Sequence, residues 1–256
     1  MIPEFLPFVR RWFERTFAAA TRPQREGWDA IAAGSDTLVV APTGSGKTLA
    51  AFLWGLDHLH RRALDGRLYD RVYVVYVSPL RALNNDIEKN LRAPLAGIRA
   101  AAAEDGIELP EVRVGVRTSD TLAAARQAMT RHPPHILITT PESLYILLTS
   151  RRFRPALAHA RFVIVDEIHA LMGGKRGSHL AITLERLQAL VEAEGGARLQ
   201  RIGWSATVHP VEGALAFLTG STARATTIVD AGFTRDLDLQ VIAPVADFLS
   251  ATSDTI

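Results

Sequence analysis

Two stretches hold residues whose types and spacing can do chemistry. "APTGSGKT", Ala41 to Thr48, sets Gly44, Ser45 and Gly46 between the β-rich run "TLVVA" and a helical pattern that opens at Lys47. Small residues there let successive backbone N–H groups turn toward phosphate oxygens. Lys47 can reach the β- and γ-phosphates, Thr48 can hold Mg²⁺, and the helix start adds the positive end of its dipole. Thr43, Gly44, Ser45, Gly46, Lys47 and Thr48 are therefore expected to line a nucleoside triphosphate. The P-loop pattern G-x-x-x-x-G-K-[ST] has Ala41 at its first position instead of glycine. An alanine is tolerated if the turn opens in the β region.

"VIVDEIHAL" (163–171) puts Asp166 and Glu167 at the end of an apolar run. A buried carboxylate is costly unless a positive group pairs with it. Beside a P-loop, Asp166 can ligate Mg²⁺ through water and Glu167 can polarise the water that attacks the γ-phosphate. His169 falls near the γ-phosphate side. In "IGWSATVHP" (202–210), Ser205 and Thr207 straddle an alanine, and their hydroxyls are placed to hydrogen-bond the acidic motif. A plain strand terminus is the bland alternative.

These residues need a scaffold that delivers them to one place. Strand-like runs occur at 37–41, 71–78, 111–116, 135–140, 161–166, 199–206 and 225–230, with helical patterns from Lys47, Arg81 and His179 between them. Most runs are continuously hydrophobic, as in a parallel sheet covered on both faces. Right-handed crossovers then give an α/β, doubly wound, mostly parallel sheet, with ligands at the carboxyl ends of its strands. The first 20 or so residues form an amphipathic helix.

Bulk composition excludes several classes. With 48% hydrophobic residues and a net charge of +2, the 256-residue chain is ordinary for a folded protein. No run of 18 apolar residues exists, so no membrane partner is expected, and no secretory signal opens the chain. Zero cysteines exclude disulfides and thiolate metal sites and fit a cytoplasmic location. Of 29 basic residues only Lys47, Lys89 and Lys175 are lysine. Codon preference is the better explanation, so composition alone says little about nucleic acid.

The order of these stretches, with Gln24, "SPLRAL", "TTPESL", "DEIH" and "SAT", resembles the first RecA-like domain of a superfamily 2 helicase, which commonly has alanine at the first P-loop position. "TRPQREGW", "SPLRALNNDIEKNLRAPL", "HPPHILITTPESLYILL" and "DEIHALMGGKRGSHLAITLERL" resemble most closely the Lhr (large helicase-related) family. The resemblance implies ATP and Mg²⁺ as cofactors and single-stranded DNA or RNA, held by its backbone, as partner. It implies that Gln24 reads adenine with Arg25 and either Phe13 or Phe17 nearby. It implies further that Lys47, Asp166, Glu167 and His169 are catalytic, and that Ser205 and Thr207 couple hydrolysis to movement. Nucleic-acid contacts would come from Ser78, Pro79 and Arg81, from Thr118 and Asp120, from Thr140, Pro141 and Glu142, and from Lys175 and Arg176 in the "GGKRG" loop, which is otherwise a solvated turn. Ser119, Trp204 and Ala20 stand where the family usually has glycine, leucine and proline. Trp204 is read as core packing rather than part of the nucleic-acid face.

The expected organisation is a lead-in over 1–22, the RecA-like domain over 23–232, and a terminal strand with the start of a linker over 233–256. A second RecA-like domain and a winged-helix region would complete the motor, and relatives of this kind are linked to DNA repair. Alternatives of other classes are a P-loop small-molecule kinase and a non-catalytic, ATP-gated nucleic-acid-binding module.

Overall fold

A computed structural model of the chain describes residues 4–42, 44–79, 81–220 and 224–232, with only the backbone described for 81–90. Thr43 and the expected terminal strand and linker at 233–256 lie outside the described residues, as does the Arg81 side chain. Seven parallel strands form one sheet in the order β3-β4-β2-β5-β6-β1-β7. They are β1 (Asp36–Val40), β2 (Val74–Val77), β3 (Val114–Arg117), β4 (Ile136–Thr139), β5 (Phe162–Val165), β6 (Gln200–Ser205) and β7 (Thr226–Asp230). Each falls within, or one residue beyond, a run read from the sequence. Most strands are shorter than those runs, chiefly at their amino ends, while Ala41, Ser78, Thr140 and Asp166 lie just past the carboxyl ends of β1, β2, β4 and β5.

The period of two along each strand sorts side chains onto two faces. Val39, Val74, Tyr76, Ile138, Ile164, Ile202 and Trp204 join one core with α1 (Pro7–Thr16), α2 (Arg22–Ala32), α3 (Lys47–Leu64) and α4 (Arg81–Glu104). Leu38, Val75, Val77, Leu137, Val163 and Val165 join the other, with α6 (Pro141–Thr149), α7 (Arg154–Leu157), α8 (Lys175–Ala193) and α9 (Val211–Thr219). Helix α5 (Ala123–Arg131) buries no residue fully. Trp204 is 1% exposed and belongs to the first core, the packing role read from the sequence.

Local chemistry sets the helix ends around the site. Thr21 caps α2 in a reciprocal box with Gln24, and Pro23 sits in the first turn. Thr140 caps α6 with Pro141 at its start. Helix α8 begins at Lys175, four residues before the start expected at His179, with Gly174 as its N-cap. The "GGKRG" stretch is therefore not a free basic loop: Lys175 and Arg176 occupy a first helical turn. At Gly177 any side chain would collide with the Leu171 carbonyl, so glycine lets α8 start directly against the turn that follows β5.

Candidate nucleotide and nucleic-acid edge

All seven strands run the same way, so every motif falls on the carboxyl edge of the sheet. Strand order divides that edge in two. On β1, β6 and β5 lie the P-loop, Ser205 and the Asp166–Glu167 pair; on β3, β4 and β2 lie Thr118, Thr140 and Ser78.

The P-loop leaves β1 at Ala41, whose N–H bonds the Ser205 carbonyl (3.0 Å) and so extends the β1–β6 ladder by one residue. Ala41 has no positive φ, whereas Gly44 (φ 80°) and Gly46 (φ 81°) do. Left-handed backbone is thus needed where the glycines are and not where glycine is missing. Lys47 is buried, and its ammonium donates to the Ala41 carbonyl. Burial lowers its pKa, against the upward pull of Glu167 and then Asp166. The amine therefore faces both carboxylates across the end of β6.

Gln24 is committed more fully than an adenine reader was expected to be. Its Oε1 accepts from the Thr21 N–H (2.8 Å) and its Nε2 donates to the Gly46 carbonyl (3.2 Å). Thr21 Oγ1 also donates to the Ser45 carbonyl (2.9 Å). Helix α2 is clamped to the P-loop at two points, so reading a base would require Gln24 to exchange these bonds. Arg25 is exposed and donates to the Ala20 carbonyl. Of the two upstream aromatics, Phe13 is buried and Phe17 is 37% exposed, which makes Phe17 the accessible ring.

At the end of β5, Asp166 is engaged at both oxygens: Oδ1 accepts from the Glu167 N–H (3.0 Å) and Oδ2 from the Tyr76 hydroxyl. Tyr76 is a functional candidate that the sequence reading missed. It lies on β2, 1% exposed, with its ring stacked on Phe52 (4.8 Å between centroids). Burial first, and then Asp166, raise its hydroxyl pKa well above the ordinary value, so it stays a proton donor. Its signal in the sequence was a hydroxyl-bearing ring near the carboxyl end of a buried, mostly aliphatic run, since a buried tyrosine needs a partner for its O–H.

Glu167 is the one non-glycine residue with positive φ (47°) among the described residues. Its Oε2 is buried without a hydrogen-bond partner, although His169 Nδ1 lies 3.3 Å away, within ion-pair distance. His169 Nδ1 also stands 2.8 Å from Ser205 Oγ. The Ser205 hydroxyl donates to the Thr207 carbonyl (3.1 Å), so it accepts from His169, which fixes the proton on Nδ1. Ser205 thus reaches the acidic motif through His169 rather than directly. Thr207 contributes its backbone oxygen rather than the expected hydroxyl.

On the other half, Ser78, Thr118, Thr140 and Pro141 are buried, so contacts with a strand fall to backbone groups and to the rim. Thr118 and Asp120 sit in a tight turn: the Asp120 N–H bonds Thr118 Oγ1 (3.3 Å), and Arg126 grips the Ser119 and Thr121 carbonyls. Arg176 reaches from α8 to two of the three other loops, those at Pro79 and Glu142. It donates through Nη2 to the Pro79 carbonyl (2.8 Å) and through Nε to Glu142 Oε1. Burial, the largest single influence, pushes the Glu142 carboxyl upward, but the Arg176 hydrogen bond, its own main-chain N–H, the Arg176 charge and Thr140 together outweigh it and hold the pKa below the usual range. Lys175 is exposed beside them. The structure therefore gathers three separately predicted loops into one cluster.

The hard oxygen donors of Thr48 and Asp166 suit Mg²⁺, which favours one or two protein ligands completed by phosphates and water. Among the described residues no group of three or more His, Asp or Glu is placed to hold a metal, and no helix is long and apolar enough to cross a membrane.

The parallel sheet and the P-loop at the end of β1 define a RecA-like fold. The chain belongs to the DEAD/DEAH box helicase family, whose profile matches residues 21–214. It is 49% identical over 97% of its length to the ATP-dependent helicase Lhr-Core of Methanocaldococcus jannaschii, covering 28% of that protein. It is 50% identical over 98% of its length to Lhr-Core of Methanothermobacter thermautotrophicus, covering 29%. Among solved structures, Mycobacterium smegmatis helicase Lhr bound to ssDNA and AMP-PNP matches 99% of this chain with a TM-score of 0.85 and 47% identity. The match covers 31% of that structure's chain. This chain spans under a third of the length of each of these relatives.

Proposed function

We propose that this chain is the ATP-binding and ATP-hydrolysing motor domain of an Lhr-type DNA or RNA helicase that grips single-stranded nucleic acid by its backbone. One observation carries the reading: the P-loop with the Asp166–Glu167 pair, and the Arg176–Glu142–Pro79 cluster, occupy adjoining halves of one sheet edge. Gly44 to Gly46 cradle the phosphates, and Lys47 leaves the Ala41 carbonyl for the β- and γ-phosphates. Thr48 and Asp166 would hold Mg²⁺, which would supply positive charge against that developing on the phosphate oxygens. Glu167, with its unpartnered oxygen, orients water for attack, and His169 and Ser205 relay its position to β6. Gln24, Arg25 and Phe17 border the adenine. Arg176, Lys175 and the N-termini of α4 and α6 receive strand phosphates, so binding weakens steeply with salt and shows little sequence preference.

A second RecA-like domain supplies the arginine that stabilises the transferring phosphate, a group worth about 10³–10⁵ in rate. With a winged-helix region it completes the motor, which works in the cytoplasm on DNA repair substrates. By itself the 256-residue chain hydrolyses ATP slowly and unwinds nothing. Family membership favours hydrolysis over a small-molecule kinase. Glu167→Gln is the test: bound ATP is retained while turnover falls by roughly 100-fold or more, the weight of a general base. ATP binding with no turnover in either the wild type or the variant would leave only an ATP-gated binding module.

A further inference from the structure

Strand β2 carries Ser78 and Pro79 to the nucleic-acid half of the edge, and β5 carries Asp166 to the nucleotide half. The two strands are neighbours, with Tyr76 opposite Ile164. Between them runs a side-chain bond from the Tyr76 hydroxyl to Asp166 Oδ2. The ring that makes it is stacked on Phe52, with an interplanar angle of 18°. Phe52 lies one helical turn beyond Thr48 on α3, so the two share a face. The stack therefore ties the ring to the face of α3 that carries Thr48, while the hydroxyl is bonded to Asp166. One side chain thus links the α3 face of Thr48 to the Asp166 carboxylate, the two residues that carry the metal in the function proposed above.

We propose that Tyr76 is a positioning residue for the divalent cation, fixing the Asp166 carboxylate through its hydroxyl while its ring is stacked on the α3 face that carries Thr48. The inference rests on the ATP-site reading. With Oδ2 held by Tyr76 and Oδ1 by the Glu167 N–H, the carboxylate cannot rotate, and each oxygen keeps a lone pair for a metal-bound water. A phenylalanine at 76 would keep the ring and its stack. What the tyrosine adds is a single buried oxygen bonded to a residue proposed to hold the metal. A merely structural role would have that oxygen satisfied by any core acceptor, and its loss would be felt in folding alone.

The experiment compares the wild-type chain with Tyr76→Phe, using a fluorescent ATP analogue and Mg²⁺ varied from chelator-buffered to saturating. The expected result is an increase in the half-saturating Mg²⁺ of about tenfold, the worth of one hydrogen bond to a charged group. Analogue affinity without metal stays unchanged. Superimposable Mg²⁺ curves would overturn the proposal, as would an equal loss of affinity with and without metal, which would assign the hydroxyl to the P-loop or the fold. Phe52→Leu keeps the hydroxyl but removes its stacking partner. It should shift the Mg²⁺ midpoint in the same direction by less, and it decides the matter if Tyr76→Phe does not fold. A wild-type chain that binds no nucleotide would overturn the ATP-site reading itself, whereas Mg²⁺-dependent binding in the wild type that is indifferent to residue 76 would overturn only the role of Tyr76.

Discussion

Along the carboxyl edge of the sheet, the half built on β1, β6 and β5 keeps polar groups waiting, whereas the half built on β3, β4 and β2 closes its polar groups on one another. On the first, Glu167 Oε2 is buried without a hydrogen bond, and the Lys47 ammonium has only a main-chain oxygen on its own loop. On the second, Arg176 is satisfied by Glu142 and Pro79, Thr140 by Ser143, and Arg126 by the turn it holds. A small ligand that must be bound in one geometry suits a site built ahead of time, at a cost to the empty protein. A polymer that must be gripped and released suits exposed internal pairs worth little to the fold, which phosphate can exchange for.

The largest expected effect lies on the waiting half. Lys47→Ala should weaken nucleotide binding by at least about 100-fold, some 3 kcal/mol on the affinity scale, as read by titration of a fluorescent analogue. A loss of only a few-fold would mean that Lys47 is content on Ala41 and that the half is not poised.

An intermediate effect is expected from Trp204→Phe on β6, behind the edge. It should cost about 1–3 kcal/mol in denaturant unfolding and leave single-stranded DNA affinity unchanged, because the ring fills core and touches neither half. Weaker DNA binding without loss of stability would move Trp204 onto the nucleic-acid face.

The smallest effect belongs to the closed half. Arg176→Ala should change stability by less than about 1 kcal/mol, since the pair with Glu142 is solvent-exposed. It should nonetheless lower DNA affinity a few-fold and reduce the slope of log affinity against log salt by about one. An unchanged salt slope would mean that Arg176 only braces the loops.

Much of this edge was legible in the sequence because burial on both faces writes strands as unbroken aliphatic runs, and because P-loop chemistry tolerates few residue types. Less was legible where one residue serves two ends. Gln24 reads as a base contact, yet Thr21 and Gln24 also spell a capping box, and it is the box that holds α2 against Gly46. Gly173 and Gly174 read as loop, yet glycine can also cap a helix, and α8 starts at once. Tyr76 was hidden by its neighbours: in "VYVVYV" a tyrosine scores as one more β-former, and only the partner of its hydroxyl sets it apart. Helix α5 left no trace because it turns no buried stripe toward the sheet.

The left-handed backbone at Glu167 sets the demands of folding against those of turnover at a single codon. Glycine is the residue that such a φ prefers, and a carboxylate with no hydrogen-bond partner is a poor one to bury, so drift toward a more stable chain would begin by erasing the group proposed to orient water. A search for stabilising substitutions in this domain should find an easy gain at position 167, and in the proposed mechanism that gain would cost turnover.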